Sequence, residues 1–205
     1  MKKNAKYIIL SIGILSLIVV GALASLPDSN TKQMNNDETL YGESSASLIP
    51  FNQSELRTNS DTIVIGTVKE ILPSKWNSID GKKPNDFEGF STFCLIYTDI
   101  IIYVDEYLEN PLSSKEVTVR VEGGTVGNDT LTTESEPTFK PGEKVLIYLT
   151  KDTNTGTKDI GPEHFRITGS LQGKYTLTDD GKAVRLGKTV SQNELLSTIK
   201  NKSAV

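Results

Sequence analysis

One cysteine, one histidine and one tryptophan are spread over 205 residues. The lone Cys94 excludes an intramolecular disulfide, so the fold must be held by its core; roughly 150 residues of globular chain suffice for that. Cys94 stands in the apolar Phe93-Cys94-Leu95-Ile96 and reads as a small buried hydrophobe rather than a reactive thiol. One histidine and one cysteine are too few for a zinc cage, and no metal or cofactor is expected. His164, beside Pro162 at a loop-to-strand junction, has no G-x-S-x-G elbow to serve and reads as a surface or structural residue.

Basic charge is also scarce. Lys2, Lys3 and Lys6 precede the body of the chain; taking those three from the 22 basic residues leaves 19 against 26 acidic ones. An acidic body is a poor partner for a phosphate backbone, so nucleic-acid binding is not expected.

Phosphate and calcium chemistry lack their signatures too. Gly123-Gly124-Thr125-Val126-Gly127 is followed by no Lys-Ser/Thr pair, and the stretch opening Asp152-Thr153-Asn154-Thr155-Gly156 lacks the full D-x-[DN]-x-[DN]-G-x₅-E pattern of a calcium loop. It reads as a polar turn. Asp99, Asp105 and Glu106 invite a carboxylate-pair reading, but on an extended strand Asp99 and Asp105 stand about 20 Å apart, too far for glycosidase chemistry.

What is present begins with a targeting pattern. The three lysines lead into an 18-residue apolar run, Tyr7 to Ala24, ending in Ala22-Leu23-Ala24. Residues 1–24 are expected to be a signal peptide cleaved after Ala24 or an uncleaved membrane anchor through residues 7–24, with the body outside the cytoplasm. No cysteine follows the run, which closes the lipoprotein route. Residues 25–50 are polar and read as a disordered linker. Residues 51–200 form the domain. Asn52, Asn128 and Asn201 open N-x-Ser/Thr sequons, which export would make available for glycosylation.

Within the domain, the strongest signal is Pro141-Gly142 followed by Val145 to Leu149: a turn, then a short apolar run that reads as a central buried strand. Ile63–Val68 is a second strand, with Gly66 marking a bulge. Ile96 to Leu108 and Val117 to Glu122 alternate as half-buried strands, and Phe165–Thr168, Tyr175–Thr178 and Val184–Leu186 follow. Asn52-x-x-Glu55 and Ser191-x-x-Glu194 have capping-box spacing and predict a short helix at each end, the second with an apolar stripe of Leu195, Leu196 and Ile199. Residues 125–142 read as loop. The fold class is mainly β: a small OB-like Greek-key barrel with short flanking helices, or alternatively a β-sandwich. Val145, Ile147, Val119 and Ile102 are assigned to the core.

The segments Ile63–Val68 with its Gly-Thr-Val, Phe139-Lys-Pro-Gly-Glu-Lys-Val-Leu-Ile-Tyr-Leu149 and Gly169-Ser-Leu-Gln-Gly-Lys174 together resemble a loose group of uncharacterised exported bacterial and archaeal proteins. The resemblance covers residues 50–200 and implies an exported β-domain with a C-terminal helix. It carries no catalytic residues over to this chain.

The functional expectation is a non-enzymatic extracytoplasmic domain, secreted or tethered, for binding or envelope structure. The partner would be an envelope or extracellular protein or a glycan. A loop-mediated enzyme or protease inhibitor is the alternative, and a hydrolase a more distant one. In an OB-type barrel the ligand face is flanked by the connections between strands 1–2 and 4–5. Here these are residues 73–92 and 151–163. The first carries Trp76, Phe87 and Phe90, which either anchor a partner or fold back to cap the barrel.

Overall fold

The computed structural model describes residues 7–11, 39–45, 47–91 and 94–200. In chain order these give β1 (Tyr7–Ser11), β2 (Tyr41–Ser45), α1 (Gln53–Thr58), β3 (Thr62–Ile71), β4 (Lys75–Trp76), β5 (Ile96–Glu109) and β6 (Glu116–Glu122). Then follow β7 (Gly124–Val126), β8 (Asp129–Thr133), β9 (Lys144–Lys151), β10 (Phe165–Ile167), β11 (Lys174–Leu177), β12 (Lys182–Arg185), β13 (Lys188–Ser191) and α2 (Gln192–Lys200).

Five of these strands close a barrel in the order β3–β5–β6–β10–β9 and back to β3. Every neighbouring pair is antiparallel except β10 with β6, which is parallel through Phe165 and Val119. The fold is therefore mainly β and a closed barrel, not a sandwich. Closure leaves those strands no free edge over the paired length. Thirteen buried apolar side chains fill the interior, among them Val64, Ile102, Val119, Val145 and Ile147.

The central-strand expectation holds. Val145, Ile147 and Leu149 point into the barrel, while Leu146 and Tyr148 on the same strand face a second cluster with Leu56, Ile63, Tyr175, Leu195 and Ile199. That cluster is where α1 and α2 dock. β9 is thus buried on both faces, which is why it reads as an unbroken apolar run. The turn ahead of it places Gly142 at φ +79°, a conformation glycine adopts without strain. In β3, pairing with β5 shifts register at Ile65/Gly66, and a Cβ on Gly66 would stand 2.5 Å from the Tyr103 carbonyl oxygen. The expected bulge is there because only glycine admits so close a backbone.

α1 begins with a complete capping box. Asn52 accepts from the Glu55 N–H at 3.0 Å, and Glu55 accepts from the Asn52 N–H at 2.7 Å. The Pro-Gly-Glu turn and the Gln-Gly-Lys segment, remote in sequence, meet in space. Lys174 Nζ lies 2.7 Å from Glu143 and 4.7 Å above the Phe139 ring, and donates to the Thr138 carbonyl. Both segments therefore have structural work: they fasten β11 to the entry of β9.

Two expectations are corrected. Tyr41–Ser45, assigned to a polar linker, is a strand that pairs in parallel with β8, and β7–β8 form a hairpin where residues 125–142 read as loop. These strands are rich in threonine and glycine. Their pairing rests on backbone hydrogen bonds, and Leu131 is their main apolar anchor. The apolar N-terminal run is described only over Tyr7–Ser11, an extended segment parallel to β2; residues 12–24 lie outside the described residues, as do residues 25–38 of the linker. No helix among the described residues is long and apolar enough to cross a membrane.

Candidate functional site

The two long barrel connections, described over residues 72–91, 94–95 and 152–164, meet beside the outer face of β5 and β6. Asn77 Nδ2 on the first donates to the Gly156 carbonyl on the second at 2.8 Å. β5 and β6 place Asp99 directly opposite Arg120, and the two form a bidentate pair at 2.8 and 2.9 Å. Arg120 also stacks on the Tyr97 ring at 3.6 Å and donates Nη1 to the Ile160 carbonyl at 2.6 Å. Gly161 sits so close above them that a Cβ there would be 2.8 Å from the guanidinium. Loop 152–164 is thereby drawn down onto the strand pair.

The burial is the finding. The alternation of β5 predicts a half-buried strand, yet Tyr97 and Asp99 on its outer face are as buried as the core because this loop covers them. A buried ion pair is tolerated only when each donor and acceptor is met, and here the fork-to-carboxylate geometry and the Ile160 carbonyl meet them.

Asp152 and His164 tie the two ends of the loop. Asp152 accepts from the Asn154 N–H, from Thr157 Oγ1 and from His164 Nε2 at 3.0 Å. Burial by itself would raise its carboxyl, but those hydrogen bonds with the nearby Arg166 hold it below the ordinary range. His164 Nδ1 meets the Pro162 carbonyl at 2.8 Å. Both imidazole nitrogens are thus occupied, and neither is free to activate a nucleophile. The Asp152–Gly156 polar turn is an Asx-type turn: Asn154 accepts from Gly156 N–H in its turn.

Beside this dyad, Arg166 on β10 contacts Glu122 at 2.5 Å and Glu136 at 3.8 Å. Burial pushes the Glu136 carboxyl up to about 7, against the pull of Arg166 and with the push of Glu122. A cavity of about 10 Å³, the size of a single water, lies between Arg120, Glu122, Asp152 and Arg166.

Of the three aromatic residues singled out on the first loop, two are buried and one is half-exposed. Trp76 is 1% exposed and Phe90 is also buried. Trp76 stacks on Phe90 at 5.5 Å and meets the edge of Phe87 at 5.1 Å, forming with Leu95, Ile96 and Leu131 a satellite core. Phe90 lies against Gly42 of β2, where a Cβ would clash at 2.3 Å. Trp76 and Phe90 fold inward beside strands that the polar segments did not announce, so these rings had no visible cover in the sequence. Phe87 alone is half-exposed, beneath Lys83 Nζ at 4.8 Å. Cys94 is half-buried, and burial raises its thiol.

The side chain the first loop does present is Ile79, 99% exposed at the tip of a braced turn. Trp76 N–H donates to the Gly81 carbonyl, Gly81 N–H to the Ser78 carbonyl, and Ser78 Oγ to the Lys82 carbonyl. No apolar signal marked it, since a lone isoleucine in a polar loop is unremarkable in sequence.

The remaining candidates separate. Asp105 accepts from Thr67 Oγ1 and Glu106 pairs with Lys200, so Asp99, Asp105 and Glu106 serve three different contacts. Among the described residues no three His, Cys, Asp or Glu side chains gather as a metal cage. Asn52 spends its side chain on the helix cap, Asn128 is exposed between β7 and β8, and Asn201 lies outside the described residues. Comparison of the chain with protein-family models, curated proteins and solved structures found no match.

Proposed function

We propose that this chain is a non-enzymatic, extracytoplasmic binding domain of OB type, exported through its N-terminal lysine-led apolar run and working through the two loops over β5 and β6. The observation that carries the reading is the convergence of those loops, joined at Asn77 and Gly156, on the outer face of the second and third barrel strands. The barrel order, with the third and fifth barrel strands parallel, supports the OB assignment, and OB barrels take ligands on that face between those two loops. The partner class that suits a small braced tip with a single aliphatic side chain is a protein with a shallow apolar pocket. In the test, Ile79→Asp and Thr155→Trp each abolish capture of envelope partners by the immobilised chain, while Leu112→Asp in the β5–β6 turn leaves it intact. Equal loss from all three, or from none, removes the loops from the binding surface.

A second reading, protease inhibition, is favoured by the same Ile79 turn. A hydrogen-bonded loop that holds one side chain fully outward is pre-organised for a specificity pocket. Inhibition of an elastase-like protease that Ile79→Asp removes would select it; cleavage of the loop without inhibition would discard it.

A further inference from the structure

β2 lies in the four-stranded sheet β1–β2–β8–β7, paired in parallel with β8 on one side and with β1 on the other. β1 is Tyr7–Ser11, inside the apolar run that the export reading assigns to a cleaved signal peptide or a membrane anchor. A segment that is removed, or that sits in a bilayer, cannot also form a ladder with β2. The exported chain therefore presents β2 with one edge bare. This step rests on the export half of the proposed function and not on the loops.

We infer that the outer edge of β2 is a strand-acceptor site, filled in the exported chain by an extended aliphatic segment that a partner protein lays parallel to Tyr41–Ser45. Tyr7–Ser11 is the chain's own stand-in for that segment.

The backbone directions carry the inference. The Leu40 and Ser44 carbonyls accept from the Thr130 and Glu134 N–H groups on the β8 side. Peptide groups alternate sides along a strand, so the N–H and C=O of Tyr41, Glu43 and Ser45 turn to the opposite edge. There β1 pairs residue for residue, from Tyr7 with Tyr41 to Ser11 with Ser45. Left bare, those groups are a template for another chain, and main-chain bonding to such an edge is how extended peptides are captured. Little blunts this edge: β2 reads Tyr-Gly-Glu-Ser-Ser, with no proline, no lysine and one carboxylate. Its side chains say what suits it. Gly42 and Ser44 are buried, on the side of the satellite core where Phe90 lies against Gly42 and Leu131 stands opposite. Tyr41, Glu43 and Ser45 are exposed. A parallel strand in this register shares those two faces, so it suits apolar side chains opposite Gly42 and Ser44 and polar ones opposite Glu43.

The experiment uses the chain recovered from the secreted or envelope fraction, its N-terminus read by mass. The probe is a synthetic peptide of residues 7–11 with added C-terminal lysines for solubility. Amide hydrogen exchange is followed along β2. Without peptide, Glu43 and Ser45 should exchange as open amides, while Gly42 and Ser44, turned to β8, stay protected. With peptide at about ten times its half-saturating concentration, exchange at Glu43 and Ser45 should slow about tenfold, with no such change at Thr157 or Lys158. In a parallel ladder the groups of Glu43 bond to the residues flanking its register partner Ile9, which are Ile8 and Leu10. A probe N-methylated at Ile8 and Leu10 should therefore lose binding, and one methylated at Ile9 alone should keep it. Glu43→Pro removes an edge donor and leaves the β8 ladder whole, so it should lose the peptide with Trp76 emission unchanged; the methylated probes carry the same test if that variant does not fold. Glu43 and Ser45 already protected in the exported chain, no slowing with peptide, or equal binding by the probe methylated at Ile8 and Leu10 each overturns the site. A chain found unexported overturns the export reading and the site with it, whereas an exported chain that ignores the peptide overturns the site alone.

Discussion

Replacing Glu136 by glutamine should make the protein more stable in alkaline solution and leave it unchanged in acid. Burial raises the carboxyl from the ordinary 4.5 to about 7, so between those values the native state holds a proton that the unfolded chain has released. Stability therefore falls as pH rises through this window and levels off above it. At about 1.4 kcal/mol for each tenfold of proton affinity, the ionised side chain costs the fold about 3 kcal/mol at pH values well above 7. Glutamine has nearly the same shape and no such titration. Urea denaturation followed by Trp76 emission measures the difference; the buried Trp76 is a native-state reporter. Near pH 4.5 wild type and Glu136→Gln should have matching midpoints. Near pH 8.5 the variant should be ahead by about 3 kcal/mol. A gap that stays constant with pH would refute the burial argument. So would a variant that is weaker in alkali, which is the outcome if attraction to Arg166 outweighs desolvation.

Three further outcomes are expected. Ile147→Ala, inside the barrel, should cost about 2–5 kcal/mol in denaturant melts through lost transfer and a cavity. Trp76→Ala should cost about 3–5 kcal/mol, and native Trp76 emission should be blue-shifted and resist acrylamide; an exposed, quenchable Trp76 would contradict its burial against Phe87 and Phe90. Asp99→Ala should cost about 3–5 kcal/mol by stranding Arg120, whereas Asp99→Leu with Arg120→Met should recover most of it; an additive double variant would mean the pair is not coupled.

The parts of this fold that were legible in the sequence are those written in local chemistry. Pro141-Gly142 and the apolar run behind it announce β9, Asn52 and Glu55 announce α1, Gly66 announces the bend in β3, and Leu195 and Ile199 announce the face of α2. The parts that were not legible depend on pairing. β2, β7 and β8 have too few apolar residues to show a period, and they are strands because each supplies the others' backbone partners. The same holds for the site. Asp99 and Arg120 are 21 positions apart and become a pair only through the register of β5 on β6. Two charged residues at the polar positions of alternating strands were the available signal. Nothing in the sequence says that loop 152–164 folds over them. The burial of Trp76 and Phe90 was hidden for the same reason: an aromatic cluster in a polar loop looks exposed until the strands that cover it are known.

The central claim, an extracytoplasmic chain that binds through two converging loops, is tested most directly by site-specific photocrosslinking in the cells that make it. A photoreactive side chain is placed at Ile79, at Thr155 or at Leu112, all exposed. The account predicts one discrete cross-linked species from both Ile79 and Thr155, found in the secreted or envelope fraction, and none from Leu112. Cross-links of equal strength from Leu112, or a full-length chain recovered from the soluble cytosol, would contradict it.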